Sequence, residues 1–148
     1  MRRIFGLLVL LATIVSLTVM AGTTRPAGAD MYTVSVRPLK IGTAMETAVL
    51  INSNGMSLYY NSSDRGPKST CTGSCAKLWP PLLSDAPTLD PKIKPKGKIG
   101  SVHNANGRQV MFNGHLLYTY SKDTAPGTAM GYGKAGKWFI ATPSLAAW

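Results

Sequence analysis

The sequence predicts an all-β fold, or one nearly so: a small single domain made of two duplicated β-hairpin units in one sheet or sandwich. Three observations carry this. Short runs rich in β-branched and aromatic residues alternate with Asn-Gly and Gly-rich turns. No segment holds a long 3.6-residue apolar period. A shift of 59 residues lays Asn54-Gly55 on Asn113-Gly114, Leu58-Tyr59 on Leu117-Tyr118, Asp64 on Asp123, Pro67 on Pro126 and Trp79 on Trp138, without a gap. The coincident positions are residues of special geometry or large size, which argues for duplication rather than chance.

Residues 1–29 read as a secretory signal peptide: Arg2 and Arg3, an apolar run from Ile4 to Met20, then small and polar residues. Ala27 and Ala29 favour cleavage after Ala29, and cleavage after Ala21 is the rival. An uncleaved membrane anchor is the other reading of the apolar run. Both cysteines, Cys71 and Cys75, lie far downstream, so no cysteine stands where a lipid anchor is attached. Residues 30–44 hold the strand pattern "YTVSV" and a linker.

Copy one covers 45–83 and contains the hairpin "TAVLINSNGMSLYYN", turning between Asn52 and Gly55. The block "TCTGSCAKLWPP" supports one short helix, with Thr72 as N-cap and Pro80-Pro81 as its stop. The connector 84–103 carries Lys92, Lys94, Lys96 and Lys98 among prolines, which keeps it extended. "KIGSVH", at its end, reads as a strand, and Asn106-Gly107 marks the turn that follows. Copy two, 104–144, holds "RQVMFNGHLLYTYS", whose Asn113-Gly114 is the strongest short hairpin signal in the chain. There Phe112, His115 and Leu117 fall on one face, and Tyr118 and Tyr120 on the other. Neither face is plainly polar, so both are expected to be covered, with Trp79 and Trp138 as the covers.

Two cysteines in an exported chain usually pair. A Cys71–Cys75 bridge closes a very short loop, worth about 2 kcal/mol on the loop-entropy account. The Cys-x-x-x-Cys spacing is not that of a thiol oxidoreductase. The chain is basic, with 16 Lys and Arg against 6 Asp and Glu and a net charge of +10; loss of Arg2, Arg3 and Arg25 with the leader lowers this to +7. The charge suits anionic envelope polymers. The lysine cluster has no interleaved aromatics on which bases would stack, so a nucleic-acid partner is not expected.

"YTYSKD" (Tyr118 to Asp123), "TCTGSCAKLWPPLL" and "RQVMFNGHLLY" together resemble a bacterial family of small secreted or lipid-anchored repeat proteins with a Tyr-x-aromatic-x-x-Asp motif. The resemblance covers about 45–148. It implies an envelope, periplasmic or extracellular location and an unsettled biochemical role. Copy one departs from the motif: Tyr59 and Asp64 are present, but Asn61 stands at the second aromatic position. Leu116 stands where the family usually has proline.

The motif residues Tyr59, Asp64, Tyr118, Tyr120 and Asp123, with Trp79 and Trp138, are the candidate site. They read either as a binding surface or as architecture, with each Asp accepting N–H bonds from the turn after it. His115, His103 and Met130 are the candidate ligands of a copper or redox centre, with Met45, Met56 and Met111 also available; the alternative reading of His115, which follows a turn, is simple exposure to solvent. No nucleophile elbow, paired glutamates, metal-binding helix or phosphate loop is present, and "GYGKAGKW" reads as a flexible loop before a strand. The expectation is therefore a monomeric, non-catalytic, exported module without a cofactor, binding or supporting an envelope protein or anionic envelope polymer. The alternative is a redox-associated or copper-binding periplasmic protein.

Overall fold

The computed structural model describes residues 32–43, 46–95 and 97–148. The expected leader (1–29), Met45 and Lys96 lie outside them. The described residues form seven strands and one short helix: β1 Val34–Lys40, β2 Glu46–Asn52, β3 Tyr59–Asn61, α1 Ser74–Leu78, β4 Ile99–Asn104, β5 Gly107–Phe112, β6 His115–Leu116 and β7 Trp138–Ile140. The all-β expectation holds.

Pairing is antiparallel throughout the three small sheets, β1-β2, β3-β7 and β4-β5-β6. β1 carries Pro38, which cannot donate to a ladder; it is tolerated because, among the described residues, β2 is the only strand paired with β1 at Pro38, the connector bonding the other edge at Val34. Asn113 (φ 50°) and Gly114 (φ 87°) form the tight turn between β5 and β6, as the Asn-Gly pair predicts. The first hairpin turns differently. Asn52 Oδ1 accepts the N–H groups of Asn54 and Met56, each at 3.0 Å, and Gly55 takes φ 77°.

The helix forms where expected but is capped one residue later. Gly73, at φ 56°, is the N-cap of α1, and no side chain caps it. Thr72 contributes its carbonyl, which accepts the Cys75 N–H at 3.1 Å, rather than its hydroxyl. The Cys71–Cys75 disulfide spans the same turn. The Trp79 N–H closes the helix on the Cys75 carbonyl, and Pro80 follows as the stop.

The two copies are interlaced. In copy one, Leu58 N–H bonds the Leu50 carbonyl, Leu50 N–H bonds the Ala141 carbonyl, and Ala141 N–H bonds the Leu58 carbonyl, all at 2.8–2.9 Å. Copy two repeats this ring with Leu117, Val110 and Leu82 at 2.8–3.0 Å. Ala141 belongs to copy two and Leu82 to copy one. Each copy therefore inserts its C-terminal segment into the hairpin of the other. The returning arms of the two hairpins meet at Tyr59 and Tyr118, which exchange both backbone bonds at 2.8 and 2.9 Å. Outside this pair, Tyr59 faces Ile140 and Tyr118 faces Pro81, positions again 59 apart.

Both hairpin faces are covered, as the apolar pattern requires. One core gathers Val49, Ile51, Tyr59, Tyr118, Trp79 and Trp138 with Cys71 and Leu116; the other gathers Val34, Leu50, Leu58, Val110, Phe112 and Leu117 with Ile93 and Ala141. Burying one such large side chain stabilises by roughly 1.5–3 kcal/mol. The connector is docked through Ile93, which is 1% exposed, and through bonds between Val34 and the backbone of Thr88 and Asp90.

Candidate functional site

Each motif tyrosine donates to the aspartate of the other copy. Tyr59 Oη donates to Asp123 Oδ2 at 2.6 Å, and Tyr118 Oη donates to Asp64 Oδ2 at 2.8 Å. The second carboxylate oxygen stays local. Asp64 Oδ1 accepts the backbone N–H and hydroxyl of Thr70 at 2.7 and 2.8 Å, and Asp123 Oδ1 accepts the Met130 N–H at 2.8 Å. The same turn precedes both: Asp64 N–H bonds the Asn61 carbonyl, and Asp123 N–H bonds the Tyr120 carbonyl. All four groups are buried. Hydrogen bonds to an ionised acceptor are the strong kind, and a buried one left without its partner is costly.

Burial pushes the Tyr59 phenol well above its ordinary range, and the bond to Asp123 pushes it further. Burial also raises Tyr118; the Ser69 hydroxyl opposes this at 2.7 Å, while the Asp64 charge adds to it. Both phenols stay protonated and serve as donors. Behind Tyr118 lies a polar network that the sequence did not disclose. Gln109, fully buried, donates Nε2 to the Leu117 carbonyl and accepts from Asn104 and Asn106.

Trp79 and Trp138 stack on each other with centroids 3.8 Å apart and planes 3° from parallel. Tyr59 meets Trp79 edge-on at 5.4 Å, and Tyr118 meets Trp138 edge-on at 5.1 Å. These equivalent contacts show the same internal two-fold relation as the hydrogen bonds. Tyr120 breaks it. Its half-buried ring lies 4.3 Å from Trp79, over Gly131, where a Cβ would come within 2.7 Å of Trp79 and 3.1 Å of Tyr120. The copy-one counterparts are Asn61 and Thr72. Asn61 uses its amide locally instead, accepting the Ser63 N–H at 2.8 Å and donating to the Thr70 hydroxyl at 3.4 Å.

The metal candidates are dispersed in character. His103 is exposed, and Met130 is 59% exposed. Cys71 and Cys75 are bonded to each other. Among the described residues no group of three His, Cys, Asp or Glu comes together. For His115 the solvent-facing reading is corrected: the residue is buried. The segment 145–148 folds back over it. Trp148 stacks on the imidazole at 4.6 Å, Asn113 Nδ2 donates to the Leu145 carbonyl at 2.7 Å, and His115 Nε2 lies 2.9 Å from the Ala146 carbonyl. A carbonyl only accepts, so Nε2 carries the hydrogen and Nδ1 is the bare, buried nitrogen without a partner.

An open cleft of about 320 Å³ lies on one face of the paired strands β3 and β7, beside Ile41 and the start of β2, and sequence reasoning missed it. Tyr60, Phe139 and Tyr132 give it three rings, Ile41 and Ile140 aliphatic surface, and Thr47 and Thr142 hydroxyls. None of the described residues that line it is charged. Tyr132, half exposed, comes from the loop read as merely flexible.

Among the described residues no helix is long and apolar enough to cross a membrane. No curated protein and no solved structure matches the chain significantly. One family's sequence model does match, twice, over residues 43–83 and 100–142, the two stretches that interlace. The chain belongs to that family, described as a secreted repeat of unknown function.

Proposed function

We propose that the chain is an exported, non-catalytic module that binds another component of the cell envelope, with the cleft on the face of the β3-β7 pair as its binding face. One observation carries the reading. The Tyr59, Tyr118, Asp64 and Asp123 polar atoms are committed to bonds between the copies or within their own turns, whereas the cleft presents three rings at the surface. The motif is then the frame, and the open aromatic surface is what a ligand meets. Concave, mostly apolar sites with a few hydroxyls are the usual form of a binding pocket. The net positive charge of the chain acts at longer range, drawing the module toward anionic envelope surfaces.

Co-sedimentation with isolated envelopes tests this. The wild-type chain is expected to sediment with them, and Tyr132→Ala to remain largely in the supernatant while its melting temperature stays within a few degrees. Leu83→Ala, which alters an exposed residue outside the cleft, is expected to sediment as wild type. Equal sedimentation of Tyr132→Ala and wild type would contradict the reading.

A further inference from the structure

The duplication supplies an internal comparison. Where interlacing requires a residue, both copies carry it: Tyr59 and Tyr118, Asp64 and Asp123, Trp79 and Trp138. At the cleft the copies differ. Thr119, Pro80 and Gly73 stand 59 positions from Tyr60, Phe139 and Tyr132. The backbone at the two places is alike. Tyr60 faces Phe139 across the β3-β7 ladder, and Thr119 donates its N–H to the Pro80 carbonyl at 2.8 Å. The fold is therefore closed on one side by a threonine and a proline. The rings on the other side are not a requirement of the repeat.

Their arrangement indicates what they hold. Tyr60 and Phe139 lie side by side, centroids 5.8 Å apart and planes 33° apart, and make a floor. Tyr132 stands at 76° to Phe139 and makes a wall. Thr142 places a hydroxyl beside them, paired at 3.1 Å with that of Ser144. A flat aromatic guest could lie on the floor and meet the wall edge-on, but its plain rings would make no use of the phenol hydroxyls. A purely apolar guest leaves the Tyr60 and Tyr132 phenol hydroxyls unused. A charged guest finds no counter-charge among the described lining residues. A hexose ring fits all three conditions: its C–H face lies on the floor, its thickness meets the wall, and its hydroxyls bond at the rim. The volume of about 320 Å³ is at the small end of ligand pockets, which run roughly 300–1,000 Å³, and suits one or two sugar units.

We propose that the cleft formed by Tyr60, Phe139, Tyr132 and Thr142 binds neutral hexose units of an envelope glycan. The proposal rests on the reading of the chain as an envelope-binding module and names its ligand class. His115 supplies a reporter, because its ring meets Tyr60 at 5.0 Å.

The test is an NMR titration of the 15N-labelled chain with chitotetraose and maltotetraose, with dextran sulfate as the anionic comparison. Binding of at least one neutral oligosaccharide is expected, with shifts gathered at Tyr60, Tyr132, Phe139 and Thr142 and at the His115 ring signals. Tyr132→Ala should weaken it about tenfold, the loss of the ring that forms the wall. Leu83→Ala should leave it unchanged. The proposal is overturned if neither neutral oligosaccharide shifts the cleft, if Tyr132→Ala binds equally well, or if only dextran sulfate binds. Should that happen while envelope co-sedimentation still depends on Tyr132, the ligand class is wrong and the envelope-binding reading stands. Should both fail, both fall.

Discussion

Tyr59 of the first unit donates its phenol hydrogen to Asp123 of the second, 64 residues away, at 2.6 Å and fully buried. Tyr118 and Asp64 repeat the bond in the opposite sense. Neither unit satisfies its own motif. Each tyrosine needs the other unit's turn, and each turn is fixed by its own aspartate. The copies are expected to fold as one cooperative body rather than as two independent hairpins.

The stacked Trp79–Trp138 pair sits at the centre of that body. Trp138→Ala removes a large buried ring and leaves a cavity, so a loss of about 3–5 kcal/mol is expected in denaturant unfolding. Tyr132→Ala, at the exposed wall of the cleft, should stay within roughly 0.5 kcal/mol of wild type. Equal losses for the two would show that the tryptophan stack is not the centre.

Alkaline pH should find the motif tyrosines. Tyr59 and Tyr118 have folded pKa values raised above the unfolded value of about 10. Their contribution is therefore whole below about pH 10 and is lost as pH rises from there through the folded values. Of the 6 tyrosines, these two should ionise, by tyrosinate absorbance, only together with loss of the near-ultraviolet dichroism. Ionisation of all six with the dichroism intact would contradict their burial.

His115 acts in the acid range. Burial lowers its pKa, while the Ala146 carbonyl and the charge of Asp64 oppose the shift. A lowered folded value means that its contribution is present above the unfolded pKa, about 6.5, and is lost as pH falls through the folded value. Protonation would put a hydrogen on Nδ1, which has no acceptor. The His115 ring signals should titrate with a midpoint below 6.5, and the Trp148 stack should loosen with them. A midpoint at or above 6.5 would refute the buried placement.

Copy one has Asn61 where copy two has Tyr120, and restoring the aromatic tests whether the first unit has room for it. In copy two the Tyr120 ring lies over Gly131, whereas Asn61 in copy one is buried and the sequence position equivalent to Gly131 is Thr72, next to Cys71. Asn61→Tyr should therefore overpack the core and cost about 1–3 kcal/mol. Adding Thr72→Gly should recover part of the loss. A stabilised Asn61→Tyr single variant would show that copy one had kept room for the ring.

The repeat was legible because duplication preserved residues that have no substitutes: Asn-Gly turns, the tryptophans and the Tyr/Asp motif. The interlacing was not. A shift of 59 residues identifies which residues are equivalent, but Tyr59 with Asp64 and Tyr59 with Asp123 are equally consistent with it. The burial of His115 is not legible because its cover, Leu145 to Trp148, docks through one carbonyl on Asn113, one carbonyl and one ring on His115, with no periodic pattern to mark it. Thr72 looked like a cap because threonine commonly is one, yet Gly73 with φ 56° follows it and takes the position. The cleft was hidden because its rings lie on three separate positions, Tyr60, Tyr132 and Phe139, and become neighbours only when β7 pairs with β3.

The central claim is that the motif holds the two units together. A double-mutant cycle on Tyr59→Phe and Asp123→Ala, followed by denaturant unfolding, measures it directly. Each single change strands a buried partner, so each should cost about 1–3 kcal/mol. The double variant should cost less than their sum by at least about 1 kcal/mol, the coupling of a direct bond. Additive costs, or singles as stable as wild type, would contradict the account.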